Sequence, residues 1–448
     1  DLGGNIMESI TNIDYSNNND MSEDCLHPQN ERIMGKISYL FAWLGGCVSI
    51  GTFTMGSSLI GTINIFQAVI AMILGCTITA IGLMLNGKAG HKYGISFTVQ
   101  TRSAFGVKGS KIAGIIRAVP AVVWFGFQSW VGSQALNEVS KSLIGYDNII
   151  VFFIGFQIIQ VAMAVGGFKG IKWLENIGCI FIIVSLIYMF YSVVKMYGAQ
   201  LSNILINVKG TWGMPFFAAV TSFLGINTTM MLNVCDYSRE LKTDVKTSTT
   251  GIIYWIAVIP ATLFMGLIGL MVSSATGIAD PINVFSSAVD NKGLVIITLI
   301  FIAFAQVTTN ILNNIIPPAY VIMDAFKVSY KKSIIIVGIL SFFTFPWLLV
   351  KPESATGLQL FVQIYSAFLG PIFTVLIVDY FILKKQNLEI DELYNENGKF
   401  KGVNKYAVIS IIVGAAFAFL NVQISWFLSI IPTGITYYIL MKKSRSNT

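Results

Sequence analysis

The chain has 448 residues, of which 54% are hydrophobic and only 11% charged, and its mean hydropathy is +0.71; soluble domains carry about 25% charged residues. That composition excludes a soluble globular protein, and apolar runs that are continuous rather than alternating exclude a transmembrane β-barrel. The formal charge of +7 follows from basic residues facing anionic lipid and calls for no nucleic-acid partner.

Taken in chain order, residues 1–35 read as a cytoplasmic tail whose first 25 or so residues, rich in Asn, Ser, Asp and Glu, are expected to be disordered. Residues 1–6, ahead of Met7, read as a tag remnant. No cleavable signal peptide is visible, as expected when the first span itself inserts. Twelve apolar runs follow, at 37–62, 64–87, 111–139, 148–167, 173–196, 211–232, 250–274, 293–322, 333–350, 357–383, 405–421 and 423–441. Each is near the length of about 20 residues that a bilayer requires. The expected fold is therefore an all-α polytopic membrane protein of about twelve transmembrane helices. Loops on the side of both termini hold 24 Lys and Arg, and the opposite loops hold five, namely Lys141, Lys195, Lys209, Lys292 and Lys351. The positive-inside rule places both termini in the cytoplasm, with the inner membrane of a bacterium as the expected location. The five cysteines (25, 47, 76, 179, 235) lack metal-ligand spacing and the only histidines are His27 and His91, so neither a metal centre nor a cofactor is expected.

Two spans carry helix-weakening residues at matching places. The first holds Gly45, Gly46, Gly51 and Gly56 with Ser49, Thr52 and Thr54, and the sixth holds Gly225 followed by Asn227, Thr228 and Thr229. Interrupted helices at corresponding positions of two halves point to the midplane site of a transporter, although small residues also serve close helix packing. The third span places Trp124 and Gln128 one turn apart, a flat indole beside a carboxamide that can both donate and accept on the edge of a planar ring. In the eighth span Gln306, Asn310 and Asn314 recur at four-residue intervals with Asn313 beside them. Carboxamides at membrane depth face a protein interior or a watery cavity, so this stripe reads as a wall of the site. Thr308 and Thr309 offer hydroxyl oxygens to a hard cation such as Na⁺, supplemented by carbonyls freed where the first helix breaks. No Asp, Glu, Lys or Arg occupies the central part of spans 1, 3, 6 or 8, which suits a neutral ligand and leaves no titratable group for an enzyme.

The segments "RSAFGVKGS" (102–110), "WFGFQSWVG" (124–132), "NVCDYSR" (233–239), "TTNILNNIIPPAY" (308–320) and "GPIFTVLIVDYFILKK" (370–385) resemble those of the nucleobase–cation symporter-1 family in order and spacing, over residues 35 to 440 or so. The resemblance implies a LeuT-like fold of two inverted five-helix repeats, here 36–197 and 211–383, a cytoplasmic loop at 384–404, two further helices at 405–442 and a short tail at 443–448. It implies alternating access, import of a heterocycle with Na⁺ or H⁺, and function as a monomer. Carried over by position, Trp124 stacks on the substrate, Gln128 and Asn314 bond its edge, Ser49 touches it, and Gly45, Val48, Ala305, Thr308 and Thr309 ligate sodium. One departure stands out: where the family commonly has an aromatic residue, nine positions before Asp236, this chain has Asn227. The ring sandwich thereby loses one slice and gains a carboxamide. Asp236-Tyr-Ser-Arg239 at the end of the sixth span reads either as a solvated helix end with a local ion pair or as a cytoplasmic gate latch with Arg102 as partner. An amino-acid carrier of the same fold would need an acidic partner for an ammonium group, and none is apparent.

Overall fold

The computed structural model describes residues 26–166, 180, 184, 187–278, 280–288, 292–349 and 354–446. The polar tail up to residue 25, with Cys25, most of the first half of the fifth apolar run, with Cys179, and the last two residues lie outside these. The described residues form helices with no named strand. Among the described residues seven helices are long and apolar enough to cross a membrane, and a bent pair makes an eighth if counted as one span. That pair is α1 (Lys36–Cys47) and α2 (Ile50–Ser57), which meet at 47° across Val48 and Ser49. The helices used below are α3 (Ile65–Tyr93), α4 (Phe97–Phe105), α5 (Gly109–Ile144), α6 (Ile149–Val165), α7 (Met214–Leu232), α8 (Cys235–Ser238), α9 (Thr247–Thr276), α10 (Lys292–Thr309), α11 (Ile316–Phe326), α12 (Tyr330–Phe342), α13 (Ser354–Ile377), α14 (Ile390–Tyr394), α15 (Lys405–Ala418) and α16 (Ser425–Ser446).

Local chemistry accounts for the ends. Asn64 and Gln67 form a reciprocal capping box at the start of α3, and Gly94 closes that helix in the left-handed region at φ 73°. The break between α1 and α2 is expected from its glycines, and Ser49 caps the second half by accepting from the Gly51 amide at 3.1 Å. The sixth span differs from expectation. α7 runs unbroken through Gly225 and Asn227 and is interrupted only at Asn233 and Val234, nearer the Asp236 end. Thr228 returns its hydroxyl to the Leu224 carbonyl at 3.0 Å and Asn227 its amide to the Phe223 carbonyl at 3.1 Å, so polar residues that suggested a break are absorbed within the helix.

The eighth span contains a π-helical segment, Asn310–Ile315, between α10 and α11. Pro317 and Pro318 lack the N–H groups that would bond the carbonyls of Asn313 and Asn314, and the wide turn is the consequence. The carbonyls of this turn are satisfied from other helices. Arg117 Nη2 donates to the Asn313 carbonyl at 3.0 Å, and the Tyr237 hydroxyl donates to that of Leu312.

Two packed groups result. α1, α2, α3, α7 and α9 pack on one another, as do α5, α6, α10, α11 and α12, while α13, α15 and α16 form a third cluster that touches α7. In the first group the backbones touch: a Cβ on Gly56 would lie 2.0 Å from the Gly266 carbonyl oxygen, and one on Gly269 would lie 2.1 Å from that of Phe53. The outside is apolar, with Phe66 and Ile412 among the most exposed side chains, and the inside is rich in buried Asn, Gln, Ser and Thr. That inversion is the signature of an integral membrane protein, in which carboxamides and hydroxyls must find partners within the protein.

Candidate functional site

The break between α1 and α2 lies against α5, α7 and the π turn, and a small cavity opens there, lined by Ser49, Trp124, Gln128, Asn227, Thr309 and Asn314 among others. Trp124 is 4% exposed, and its indole lies over the first turn of α2. Only glycine fits beneath the ring: a Cβ on Gly51 would sit 2.5 Å from Trp124 Cζ3. The indole Nε1 donates to the Tyr365 hydroxyl at 3.4 Å, and that hydroxyl donates to the Gly225 carbonyl at 3.0 Å. The third and sixth spans are thereby tied to α13 behind the ring. Gln128 Nε2 donates to Ser49 Oγ at 3.3 Å, and Gln128 Oε1 has no partner among the described residues.

The sequence-derived residues divide. Trp124, Gln128, Asn314, Ser49 and Asn227 converge on the cavity. Gly225 and Asn310 do not line it. A Cβ on Gly225 would lie 2.6 Å from Val362 Cγ1 and 2.7 Å from Ser366 Oγ, so Gly225 serves close packing of α7 on α13. Asn310 is fully buried behind Asn314, donating to Gln160 Oε1 at 2.8 Å and accepting from Asn314 Nδ2 at 2.9 Å. Gln306 also stays away from the cavity and returns its amide to the Ile302 carbonyl at 3.1 Å. The stripe therefore faces α5 and α6 along most of its length and reaches the cavity only at its end.

Of the residues expected around a cation, Thr309, Val48 and Gly45 meet at the same break, while Thr308 and Ala305 are joined within α10. The Thr309 hydroxyl lies 2.9 Å from the Val48 carbonyl oxygen and 3.4 Å from that of Gly45, bridging α10 to the loose end of α1. Thr308 Oγ1 lies 3.0 Å from the Ala305 carbonyl oxygen. This donor set consists of uncharged oxygens, chemistry suited to a hard monovalent cation rather than to a transition metal. Among the described residues no group of three His, Cys, Asp or Glu side chains stands within reach of a metal.

Asn313, which the sequence places beside the stripe, also lines the cavity; its Nδ2 donates to the Gly46 carbonyl at 2.9 Å and its Oδ1 lies 2.9 Å from the Tyr237 hydroxyl. Other contributors escaped the sequence reading. Arg117 is fully buried and donates through Nε to Asn233 Oδ1 at 3.0 Å as well as to the π turn. Gln157 and Gln160 on α6 were detectable by the rule applied to the eighth span, since both are carboxamides in an apolar run. Tyr365 carried no such signal, because a tyrosine in a span is ordinary.

Asp236 is neither solvated nor paired with Arg102. It is 1% exposed and accepts from the Phe97 amide at 2.8 Å, capping the first turn of α4. Arg102 instead meets Asp324 on α11 at 2.5 Å, donates to the Leu393 carbonyl at 3.0 Å and lies over the Tyr394 ring. Arg102, expected as the partner of a gate latch at Asp236, is therefore paired between α4 and α11, while Arg239 at the end of the sixth span lies 3.7 Å from the neighbouring Glu240 carboxylate.

The chain is similar to known transport proteins in sequence and in fold. The hydantoin permease of Microbacterium maritypicum is 27% identical over 418 residues, covering 88% of this chain and 84% of the relative. The allantoin permease of Bacillus subtilis is 28% identical over 472 residues, covering 95% and 94%. Among solved structures, Mhp1, a nucleobase–cation symport-1 family transporter seen closed with bromovinylhydantoin bound, superposes with a TM-score of 0.85 over 94% of this chain and 96% of its own at 24% identity. A Na⁺-coupled sialic acid symporter superposes with a TM-score of 0.66 at 14% identity, over 94% and 93%. The family model described as permease for cytosine/purines, uracil, thiamine and allantoin matches residues 27–440, and the chain belongs to that family of membrane transporters.

Proposed function

We propose that the protein is a secondary active symporter that imports a neutral nucleobase or related heterocycle, of the uracil, cytosine, purine, allantoin or hydantoin type, together with Na⁺. The observation that carries the proposal is the meeting of Trp124, Gln128 and Asn314 with the Thr309–Val48–Gly45 oxygens at one helix break. In this cycle Na⁺ binds first among the carbonyls of Gly45, Val48 and Ala305 and the hydroxyls of Thr308 and Thr309, and fixes the break in its binding-competent form. The heterocycle stacks on Trp124 and is read by Gln128, Asn314, Asn227 and Ser49. Alternating access then moves the group of α1, α2, α3, α7 and α9 against the group containing α5 and α10. The absence of acidic side chains from the cavity lining favours Na⁺ over a carboxylate-borne proton and a neutral ring over a zwitterion. The same reading assigns twelve spans in two inverted repeats with two further helices, both termini in the cytoplasm, residence in a bacterial inner membrane and function as a monomer. A thermal-shift panel of nucleobases, hydantoins and allantoin in NaCl and in choline chloride tests it, because a ligand of the folded state raises apparent stability by mass action. Stabilisation by a ring only in NaCl is the expected result; equal stabilisation in both salts removes sodium coupling, and a response to free amino acids alone removes the heterocycle.

A further inference from the structure

The carbonyls of Gly45 and Val48, which meet Thr309, stand on either side of the Gly46 carbonyl, and Gly46 is held from a different helix. Asn313 Nδ2 donates to it at 2.9 Å. A carbonyl only accepts, so the nitrogen end of that amide is fixed toward α1 and Asn313 Oδ1 turns toward α8. There the Tyr237 hydroxyl lies 2.9 Å from Oδ1 and donates to the Leu312 carbonyl, so its one proton is shared by two acceptors of the same π turn. The Leu312 carbonyl needs that donor. Ile316 bonds back to Ile311, five residues earlier, and the next amide in this wide register would come from Pro317, which has none. Tyr237 is 4% exposed, and its ring packs on Trp43 of α1 at 5.1 Å, so the ring stays in place without help from the hydroxyl. The hydroxyl therefore serves the turn, and through Asn313 the break.

We infer that Tyr237 is a positioning residue for the cation: by way of Asn313 it holds the Gly46 carbonyl, and with it the short stretch of chain whose Gly45 and Val48 oxygens face Thr309. The inference rests on the proposed sodium coupling and adds a residue that touches neither cation nor substrate. It also links the site to the inner end of the sixth span. α8 packs on α3, in the first group, and the π turn packs on α5, in the second. A separation of the two groups that draws Tyr237 off the turn leaves the Leu312 carbonyl and Asn313 Oδ1 without their donor, and buried acceptors in that state are costly. Asn313 is then free to turn from Gly46, and the cation oxygens loosen in the same movement.

The test is a titration of the melting point of the whole chain with Na⁺, choline replacing it at constant ionic strength, because a cation bound only by the folded state raises apparent stability by mass action. Tyr237→Phe removes the hydroxyl and keeps the ring. The sodium concentration needed for a given rise in melting point is expected to increase by about three- to tenfold. Tyr39→Phe is the control: it takes a hydroxyl from the same aromatic cluster, where Tyr39 pairs with Tyr254 at 2.7 Å, and should lower the melting point without moving the sodium requirement. The double variant Tyr237→Phe, Asn313→Ala should shift that requirement by less than the two single effects added, since one residue acts through the other. An unchanged requirement in Tyr237→Phe, an equal shift in Tyr39→Phe, or full additivity in the double variant overturns the inference and leaves the transport proposal standing. A melting point of the unaltered protein that ignores sodium removes sodium coupling itself, and this inference with it.

Discussion

Replacing Gly51 by alanine tests the stacking platform with one methyl group. The new Cβ would stand 2.5 Å from Trp124 Cζ3 and 2.7 Å from Cη2, whereas carbon atoms rest at about 3.5–4.0 Å. The ring has to retreat by about 1 Å. It cannot do so at constant orientation, because Nε1 is tethered to Tyr365 at 3.4 Å, already at the limit of a hydrogen bond. The indole therefore tilts and the tether opens. A stacking platform is worth about 1–3 kcal/mol, so substrate affinity should fall by about five- to 150-fold. Sodium-dependent thermal shifts across a substrate titration measure it, and the melting point without ligand reports the folding cost separately. Trp124→Phe combined with Gly51→Ala should be less damaging than the two single effects added, since a smaller ring leaves room for the methyl. Unchanged affinity in Gly51→Ala, with the fold intact, would refute the placement of the substrate on that ring.

Three other perturbations follow from the same coordinates. Thr309→Val removes the hydroxyl that bridges Gly45 and Val48; the sodium concentration for half-maximal uptake should rise about tenfold or more, while any binding in choline is unaffected. Arg102→Ala strands Asp324, whose side chain is 4% exposed, and should cost about 3–5 kcal/mol, with partial recovery in the double variant Arg102→Ala, Asp324→Ala when melting points are compared. Asp236 lies beyond the membrane-spanning part of α7, and burial pushes its carboxyl up from 3.8 to about 6, opposed by Arg239 and by the Phe97 amide. A carboxyl raised in the folded state favours folding below its unfolded value of 3.8 and loses that contribution as pH rises to about 6. Asp236→Asn should therefore flatten the melting-point profile between about pH 4 and 6, and a profile identical to that of the unaltered protein would rule out the burial argument.

How much was legible in the chain depends on how local the signal is. The break of the first span was readable because glycine and serine weaken a helix wherever they stand, and Val48 and Ser49 are indeed non-helical. The same signal misled in the sixth span, where Asn227 and Thr228 bond back into their own helix and Gly225 serves α13 instead. Trp124 and Gln128 were legible because both sit on one turn of one helix. The Asn stripe was legible as buried polarity, but which amide reaches the cavity was not, since the π turn before Pro317 shifts the register by an amount that four-residue spacing does not contain. Asp236 was misplaced for a related reason. Its partner is the start of α4, 139 residues earlier in the chain, and no pattern within the sixth span reveals a long-range helix cap.

The arrangement also gives the proposed sodium coupling a physical route that needs no charge at the substrate. The carbonyl of Val48 faces the Thr309 hydroxyl, and the very next residue, Ser49, accepts from Gln128. The two positions share one peptide unit, between the C-terminal end of α1 and the capping residue of α2. In the proposed cycle a cation that fixes the Val48 carbonyl also fixes the plane of that peptide, and with it the height of Ser49 against the ring. Asn313 ties the same segment to the π turn through Gly46 at 2.9 Å, so the segment is held on both sides of the break. By linkage the substrate must tighten cation binding by the factor by which the cation tightens substrate binding. Coupling free energies of about 1–3 kcal/mol are typical, and ordering two or three residues at about 1–2 kcal/mol each is enough to supply them. A break that one ligand has already ordered is cheaper for the second to occupy, which is how a cavity lined by neutral carboxamides would follow the sodium concentration.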